Sequence, residues 1–215
     1  MSKNKCFSTH KNRLQDFSRH SFFQIEKMNQ EKLVIFDLDG CIFQTEAVVL
    51  VMEDKKIKTR LNHQQFANYQ LKKNESFDFS QFRSAEIFEK TSFPIPEVIN
   101  KLLNKSQSGK TIILSARSDF DDKQRFLKTL KKYGIDLTKI YFERSGNLPK
   151  KNMAEAKAAS IQKYLNTGRF AKVEFYDDIS ENLETFLKLQ TYFPRIEFKA
   201  YQTLEGKIIS FNSDS

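Results

Sequence analysis

Short, unbroken apolar runs punctuate the chain, separated by stretches in which apolar residues recur every three or four positions. Leu33-Val34-Ile35-Phe36 is continuous and ends in Asp37, the pattern of a strand covered on both faces in a parallel sheet. Residues 111–114, 139–142, 173–176 and 196–198 read as further strands. Pro96 opens a helix with Val98, Ile99, Leu102 and Leu103 on one face and Gly109 as its stop. Asp119 is expected to cap a second, with Phe126, Leu127 and Leu130 inward. Ala154, Ala158, Ile161 and Leu165 share a helical face, as do Leu183, Phe186 and Leu187. This alternation predicts an α/β fold: a three-layer, Rossmann-like parallel sheet with helices on both faces, spanning residues 32–215.

One stretch breaks the rhythm. Residues 47–52 and 57–61, on either side of Glu53-Asp54-Lys55-Lys56, read as a β-hairpin. Beyond the hairpin lies polar sequence dotted with Phe66, Tyr69, Phe77, Phe79, Phe82 and Phe88. Long loops inside a compact domain are usually lids or binding loops. Residues 45–93 are therefore expected to be an insertion after the first strand, a flap over the site.

Composition narrows the class. With 39% hydrophobic and 29% charged residues, 6 Gly and 4 Pro, the chain is a folded protein and not collagen-like, low-complexity or wholly disordered. Its longest apolar run, residues 47–52, falls far short of the ~20 residues that cross a bilayer, so no membrane is expected. Cys6 and Cys41 stand alone without a CxxC, which favours a reducing, cytoplasmic setting. Residues 1–31 are basic, lack an apolar core of the signal-peptide kind and read as a flexible extension, or as sequence upstream of a start at Met28. The net charge of +9 favours anionic partners, nucleic acid among them. Scattered lysines also make an ordinary solvated surface, so charge alone names no anion.

The acidic residues are more pointed. Asp37-Leu38-Asp39-Gly40 follows directly on the first strand, and Asp177-Asp178 follows the strand at 173–176 in the same way. Ligands of open α/β sheets bind outside the carboxyl ends of the strands. Capping of the next helix would explain one Asp at each place, not two at both. Four carboxylates at one sheet end repel unless a cation lies among them, and an oxygen-rich set with few imidazoles selects Mg²⁺ over Zn²⁺. His10, His20 and His63 are scattered. Ser115-Ala116-Arg117-Ser118 ends the strand at 111–114 and is expected to lead into a helix, offering a hydroxyl, backbone N–H groups and a helix N-terminus to an oxyanion. Arg117 could add a bidentate grip.

In this order, DxDG, a serine after a strand, a lysine, then DD after a strand, the chain resembles the haloacid dehalogenase superfamily of phosphohydrolases from residue 33 to about 200. Val34 through Gly40 and Phe175-Tyr176-Asp177-Asp178 carry the likeness most specifically, with Ile113 through Arg117 in support. The resemblance implies that Asp37 is the nucleophile forming an aspartyl-phosphate. Asp39 would be the general acid and then the base. Ser115, Ala116, Arg117 and Lys157 would hold the phosphate. Mg²⁺ would be held by Asp37, the Asp39 carbonyl and Asp178, with Asp177 in support. Lys157 lies twenty residues before Asp177, as the family pattern has it; Lys150 and Lys151 are the alternatives. Cys41 departs from the family's usual threonine, and a thiol hydrogen-bonds more weakly.

The modest insertion resembles minimally capped members, and the chain is similar to small phage-encoded phosphatases and to the phosphatase half of polynucleotide kinase-phosphatases. That likeness implies a phosphate ester such as a nucleotide or a nucleic-acid 3′ end, and the absence of a P-loop implies no accompanying kinase. Lys55, Lys56, Lys58 and Arg60, with Phe66 and Tyr69, could track a phosphate backbone and stack a base. The more ordinary reading is that those aromatics pack the insertion onto the sheet. A non-catalytic nucleic-acid-binding module on the same scaffold, a phosphatase of sugar phosphates or phosphoproteins, and transfer to an acceptor other than water stay open at this level.

Overall fold

The computed structural model describes residues 31–146 and 152–212; the extension through residue 30, Lys150 and Lys151 lie outside them. Strand β1 (Glu31–Phe36) is the middle of a six-stranded sheet. Glu31, placed by the sequence reading in the N-terminal extension, pairs with Phe170 as part of β1. On one side β1 pairs in parallel with β7 (Lys110–Ser115), and β7 with β8 (Ile140–Arg144). On the other side it pairs in parallel with β9 (Phe170–Asp177), followed by β10 (Glu197–Leu204). An antiparallel strand that the pattern did not announce, β11 (Lys207–Phe211), forms the far edge.

The pleat sends alternate residues to opposite faces. Leu33 and Ile35 of β1 join Ile112, Val173 and Phe175 under helices α6 (Met153–Leu165) and α7 (Ser180–Lys188). Val34 and Phe36 join Ile113 and Tyr176 on the other face, under α4 (Pro96–Lys105) and α5 (Lys123–Lys132). The result is the three-layer arrangement that the alternation predicts, with two apolar cores. Each fully buried aliphatic or aromatic side chain contributes about 1.5–3 kcal/mol to holding the layers. Among the described residues, no helix is long and apolar enough to cross a membrane.

Two expectations are corrected. The cap of α5 is Asp122, whose side chain accepts from Arg125 N at 2.9 Å, whereas Asp119 pairs with Arg144 at 2.9 Å. The loop after β7 is thus longer than expected, and Ser115 does not sit at a helix N-terminus. The insertion, too, is more than a hairpin and a loop. Strands β2 (Phe43–Thr45) and β6 (Ser92–Pro94) pair as its stem. Beyond them β3 (Val49–Glu53), β4 (Lys56–Leu61) and β5 (Glu75–Asp78) form a separate antiparallel sheet in the order β4-β3-β5. Three short helices, α1 (His63–Asn68), α2 (Ser80–Arg83) and α3 (Ala85–Thr91), complete it. The helices are too short to show a helical period, which is why the pattern reads as loop. Phe66, Tyr69, Phe77 and Phe82 pack on Val49, Val51 and Leu61, while Phe88 reaches the main core beside Phe43 and Phe126. Phe66 and Tyr69 therefore pack the insertion.

The insertion has its own electrostatic clasp. Lys58 Nζ lies 2.8 Å from Glu53 and 2.7 Å from Glu75. The Lys58 ammonium, followed by the Lys72 N–H, lowers the Glu75 pKa from 4.5 to about 2. A carboxyl depressed on folding stabilises above its unfolded pKa and loses that contribution as pH falls through the folded value. Hydrogen-exchange protection of the β3–β5 ladder is expected to hold above about pH 4.5 and to fall between there and about pH 2. In Lys58→Met the ladder is expected to be less protected at neutral pH and this acid-induced fall to shrink; a fall as large as the parent's would refute the clasp.

Candidate active site

The register of the sheet brings the acidic pairs together. Phe36 stands opposite Tyr176, so the next residue of each strand, Asp37 and Asp177, meet at the carboxyl ends of β1 and β9. The Asp37 N–H donates to the Tyr176 carbonyl at 2.8 Å. Carboxylate oxygens of Asp37, Asp177 and Asp178 all lie within 4.8 Å of one another. Because β7 and β9 flank β1 on opposite sides, this is also where the strand order reverses, the position at which open α/β sheets bind ligands.

Lys157 enters from α6, a helix capped by Asn152, whose side chain accepts from Glu155 N at 2.8 Å. Its Nζ donates to Asp37 Oδ1 at 2.6 Å and to Asp177 Oδ2 at 2.7 Å, and all three side chains are buried. Asp177 Oδ1 accepts from Ile179 N and Asn182 Nδ2, both at 2.9 Å, so both Asp177 oxygens are engaged and the residue braces the cluster. Asp178 differs: its backbone carbonyl accepts from Gln202 Nε2 at 3.0 Å, but its buried Oδ1 has no hydrogen-bond partner. Gly40 makes room for this carboxylate. Its φ is +78°, and a Cβ there would stand 2.2 Å from Asp178 Oδ2, so both the backbone and the close approach require glycine.

Three acidic side chains crowd one ammonium in a buried space. Burial pushes Asp37 well above the ordinary carboxylate range; Lys157 pulls the other way, and Asp177 and Asp178 add to the rise. Burial and then Asp177 push Asp178 up to about 7. For Lys157, burial disfavours the ammonium, yet Asp177 and Asp37 outweigh it and hold the pKa above its usual value. An unpartnered buried carboxylate oxygen, an all-oxygen donor set and three acidic groups against one ammonium are the features of a site that can hold a divalent metal ion.

Asp39 and Arg117 form the second half of the site. Arg117 is buried, and its Nε and Nη2 donate to Asp39 Oδ2 and Oδ1 at 2.8 and 2.7 Å. Its Nη1 donates to the Phe82 carbonyl at 2.9 Å, and Nη2 also reaches Thr45 Oγ1 at 3.3 Å. The fork expected to grip an oxyanion is thus turned onto Asp39 and the insertion. Buried Ser115 accepts from Arg117 N at 3.1 Å through its hydroxyl oxygen. Its carbonyl accepts from Ser145 N and Oγ, at 2.9 and 3.1 Å. Ala116 lies between them, close enough to Gly146 that a Cβ there would stand 2.2 Å from the Ala116 carbonyl oxygen. Cys41 is buried and donates through sulfur to the Tyr176 carbonyl at 3.4 Å. Burial raises its pKa well above the usual thiol value, so it stays a protonated structural donor.

Asn182, Gln202, Thr45 and Phe82 escaped sequence reading. Asn182 lies five residues after Asp177 in a helix, a spacing that could have flagged it, whereas nothing local points to the other three. No protein-family model and no curated protein matches the chain.

Proposed function

We propose that the chain is a Mg²⁺-dependent phosphomonoesterase of the haloacid dehalogenase type, working through an aspartyl-phosphate and acting on a nucleotide or a nucleic-acid 3′-phosphate end. One observation carries the reading: Asp37, Asp177 and Asp178 converge within 4.8 Å at the carboxyl end of a parallel sheet, with a buried lysine bridging two of them. Asp37, Asp178 and the Asp39 carbonyl would hold the ion, with Asp177 in support. When bound, Mg²⁺ offsets the repulsion between carboxylate and phosphate and neutralises charge on the phosphoryl oxygens.

The remaining chemistry belongs to the side chains. An Asp37 oxygen attacks phosphorus as the bond from phosphorus to the leaving oxygen breaks, and Asp39 gives its proton to that oxygen. Asp39 then takes a proton from water, whose oxygen attacks the phosphoryl group and frees Asp37 and inorganic phosphate. Lys157 and the Ser115 hydroxyl would steady phosphoryl oxygens, since phosphoryl transfer depends mostly on such positioning and charge neutralisation. The substrate class is supported by the insertion. It contributes Lys55, Lys56, Arg60, Lys72 and Lys73, cations suited to a polyanion, while Lys58 is held by Glu53 and Glu75.

Hydrolysis of p-nitrophenyl phosphate tests the activity. It is expected to fall to background in EDTA and return with added Mg²⁺; turnover indifferent to EDTA would refute the reading. Across mononucleotides, 3′-phosphorylated oligonucleotides, sugar phosphates and phosphopeptides, kcat/KM is expected to be highest for the nucleic-acid ends.

A further inference from the structure

Arg117 is the most heavily engaged cation of the site, and none of the proposed reaction steps uses it. It leaves the loop after β7, yet its guanidinium contacts lie on two other parts of the chain. Two donors fix both oxygens of Asp39, at 2.8 and 2.7 Å. The other contacts belong to the insertion: the Phe82 carbonyl at 2.9 Å and the Thr45 hydroxyl at 3.3 Å. The Phe82 and Phe88 rings from the insertion and the Phe120 ring lie 5.1, 5.1 and 5.3 Å from the guanidinium carbon. A bidentate fork on a carboxylate fixes the plane of that carboxylate as well as its position. It occupies one lone pair on each oxygen and leaves the others available.

From this geometry we infer that Arg117 is a positioning residue that makes the orientation of Asp39 depend on the docked insertion. The inference rests on the hydrolase reading, in which Asp39 protonates the leaving oxygen. A buried guanidinium cannot give up the Phe82 carbonyl without a new partner, because an unpaired buried charge is strongly disfavoured. Where the insertion sits, Arg117 therefore sits, and the Asp39 plane follows. A second tie sets the docking itself. Asp121 Oδ1 accepts from Ala85 N at 2.8 Å, and Asp121 N donates to the Arg83 carbonyl at 2.9 Å. Asp121 has no hydrogen bond to Asp39 or Arg117, so it offers a way to loosen the insertion without touching the acid.

Leaving-group dependence separates positioning of an acid from a general structural role. p-Nitrophenolate departs without a proton, whereas the alkoxide of a nucleoside 3′-monophosphate needs one. Holoenzyme variants Asp39→Asn, Arg117→Met, Arg117→Lys and Asp121→Ala are compared on both substrates in Mg²⁺. General acid catalysis contributes about 10²–10⁴-fold. Arg117→Met is therefore expected to lower kcat on the nucleoside 3′-monophosphate at least about tenfold more than on p-nitrophenyl phosphate, with little change in KM. Arg117→Lys, which keeps the charge but loses the fork, falls in between, and Asp121→Ala shows the same selectivity more weakly. A rise in KM for both substrates with kcat retained would place Arg117 on the phosphate and overturn the inference. Equal losses on both substrates would overturn it too. If Arg117→Met does not fold, Arg117→Lys and Asp121→Ala carry the same comparison. Selectivity in Asp39→Asn without selectivity in the others sinks the inference alone, whereas its absence from Asp39→Asn sinks the role of Asp39 as well.

Discussion

Lys157→Met is expected to damage folding and catalysis together. The ammonium is the sole cation hydrogen-bonded to Asp37 and Asp177 among the described residues, at 2.6 and 2.7 Å. Methionine is similar in length but leaves two buried carboxylates facing one another. Breaking a buried pair by removing one partner costs roughly 3–5 kcal/mol, and for a domain of this size that corresponds to a fall in Tm of roughly 10 °C. Added Mg²⁺ is expected to restore part of the loss, since a divalent ion offsets the same repulsion. Turnover is not expected to recover with it: the proposed contacts of the lysine to phosphoryl oxygens are lost, and loss of one such donor typically costs about 10²–10³-fold in kcat. Thermal unfolding with and without Mg²⁺, alongside p-nitrophenyl phosphate kinetics, reads both effects. An unchanged Tm in metal-free buffer would show that Lys157 does not hold the cluster.

Asp37→Asn separates the two effects. The amide cannot serve as the nucleophile, so turnover is expected to fall at least about 10⁴-fold, as it does when an enzyme's nucleophile is removed. Stability should move the other way. Burial and neighbouring carboxylates hold the Asp37 pKa well above the ordinary range. An acid raised on folding opposes folding once pH exceeds its unfolded pKa, so a neutral amide removes a penalty at pH 7. The metal-free Tm of Asp37→Asn is thus expected to equal or exceed that of the parent, while the stabilisation by Mg²⁺ shrinks. Parental turnover in this variant would end the aspartyl-phosphate proposal. A Tm as low as that of Lys157→Met would contradict the charge balance assigned to the cluster.

The site was partly legible from local pattern. Asp37 and Asp177 each close an apolar run, and Ser115 closes another, because a buried parallel strand ends where it reaches the open crevice. The resemblance favours Lys157 over Lys150 and Lys151, which lie outside the described residues; the bridging position of Lys157 was not legible, since it depends on how α6 packs on the sheet. Arg117 shows the limit most clearly. A guanidinium beside a strand-ending serine invites an oxyanion, yet it turns to Asp39, 78 positions away in the chain. Asp119 and Asp122 are similar candidates for a helix cap, and the path of the loop around the site selects Asp122.

Sequence alone was sufficient for the alternation of strands and helices, the acidic pairs at strand ends and the presence of an insertion, because periodicity and strand-end chemistry are local properties. Tertiary structure decided that β9 lies beside β1 in a register that seats Asp177 against Asp37. It also decided that Gly40 must yield space to Asp178 and that the insertion is tied to Asp39 through Arg117. These contacts join residues tens to more than a hundred positions apart. Strand order and register determine which of them meet, and hydrophobic pattern along the chain specifies which face of a strand is buried but not which neighbour covers it.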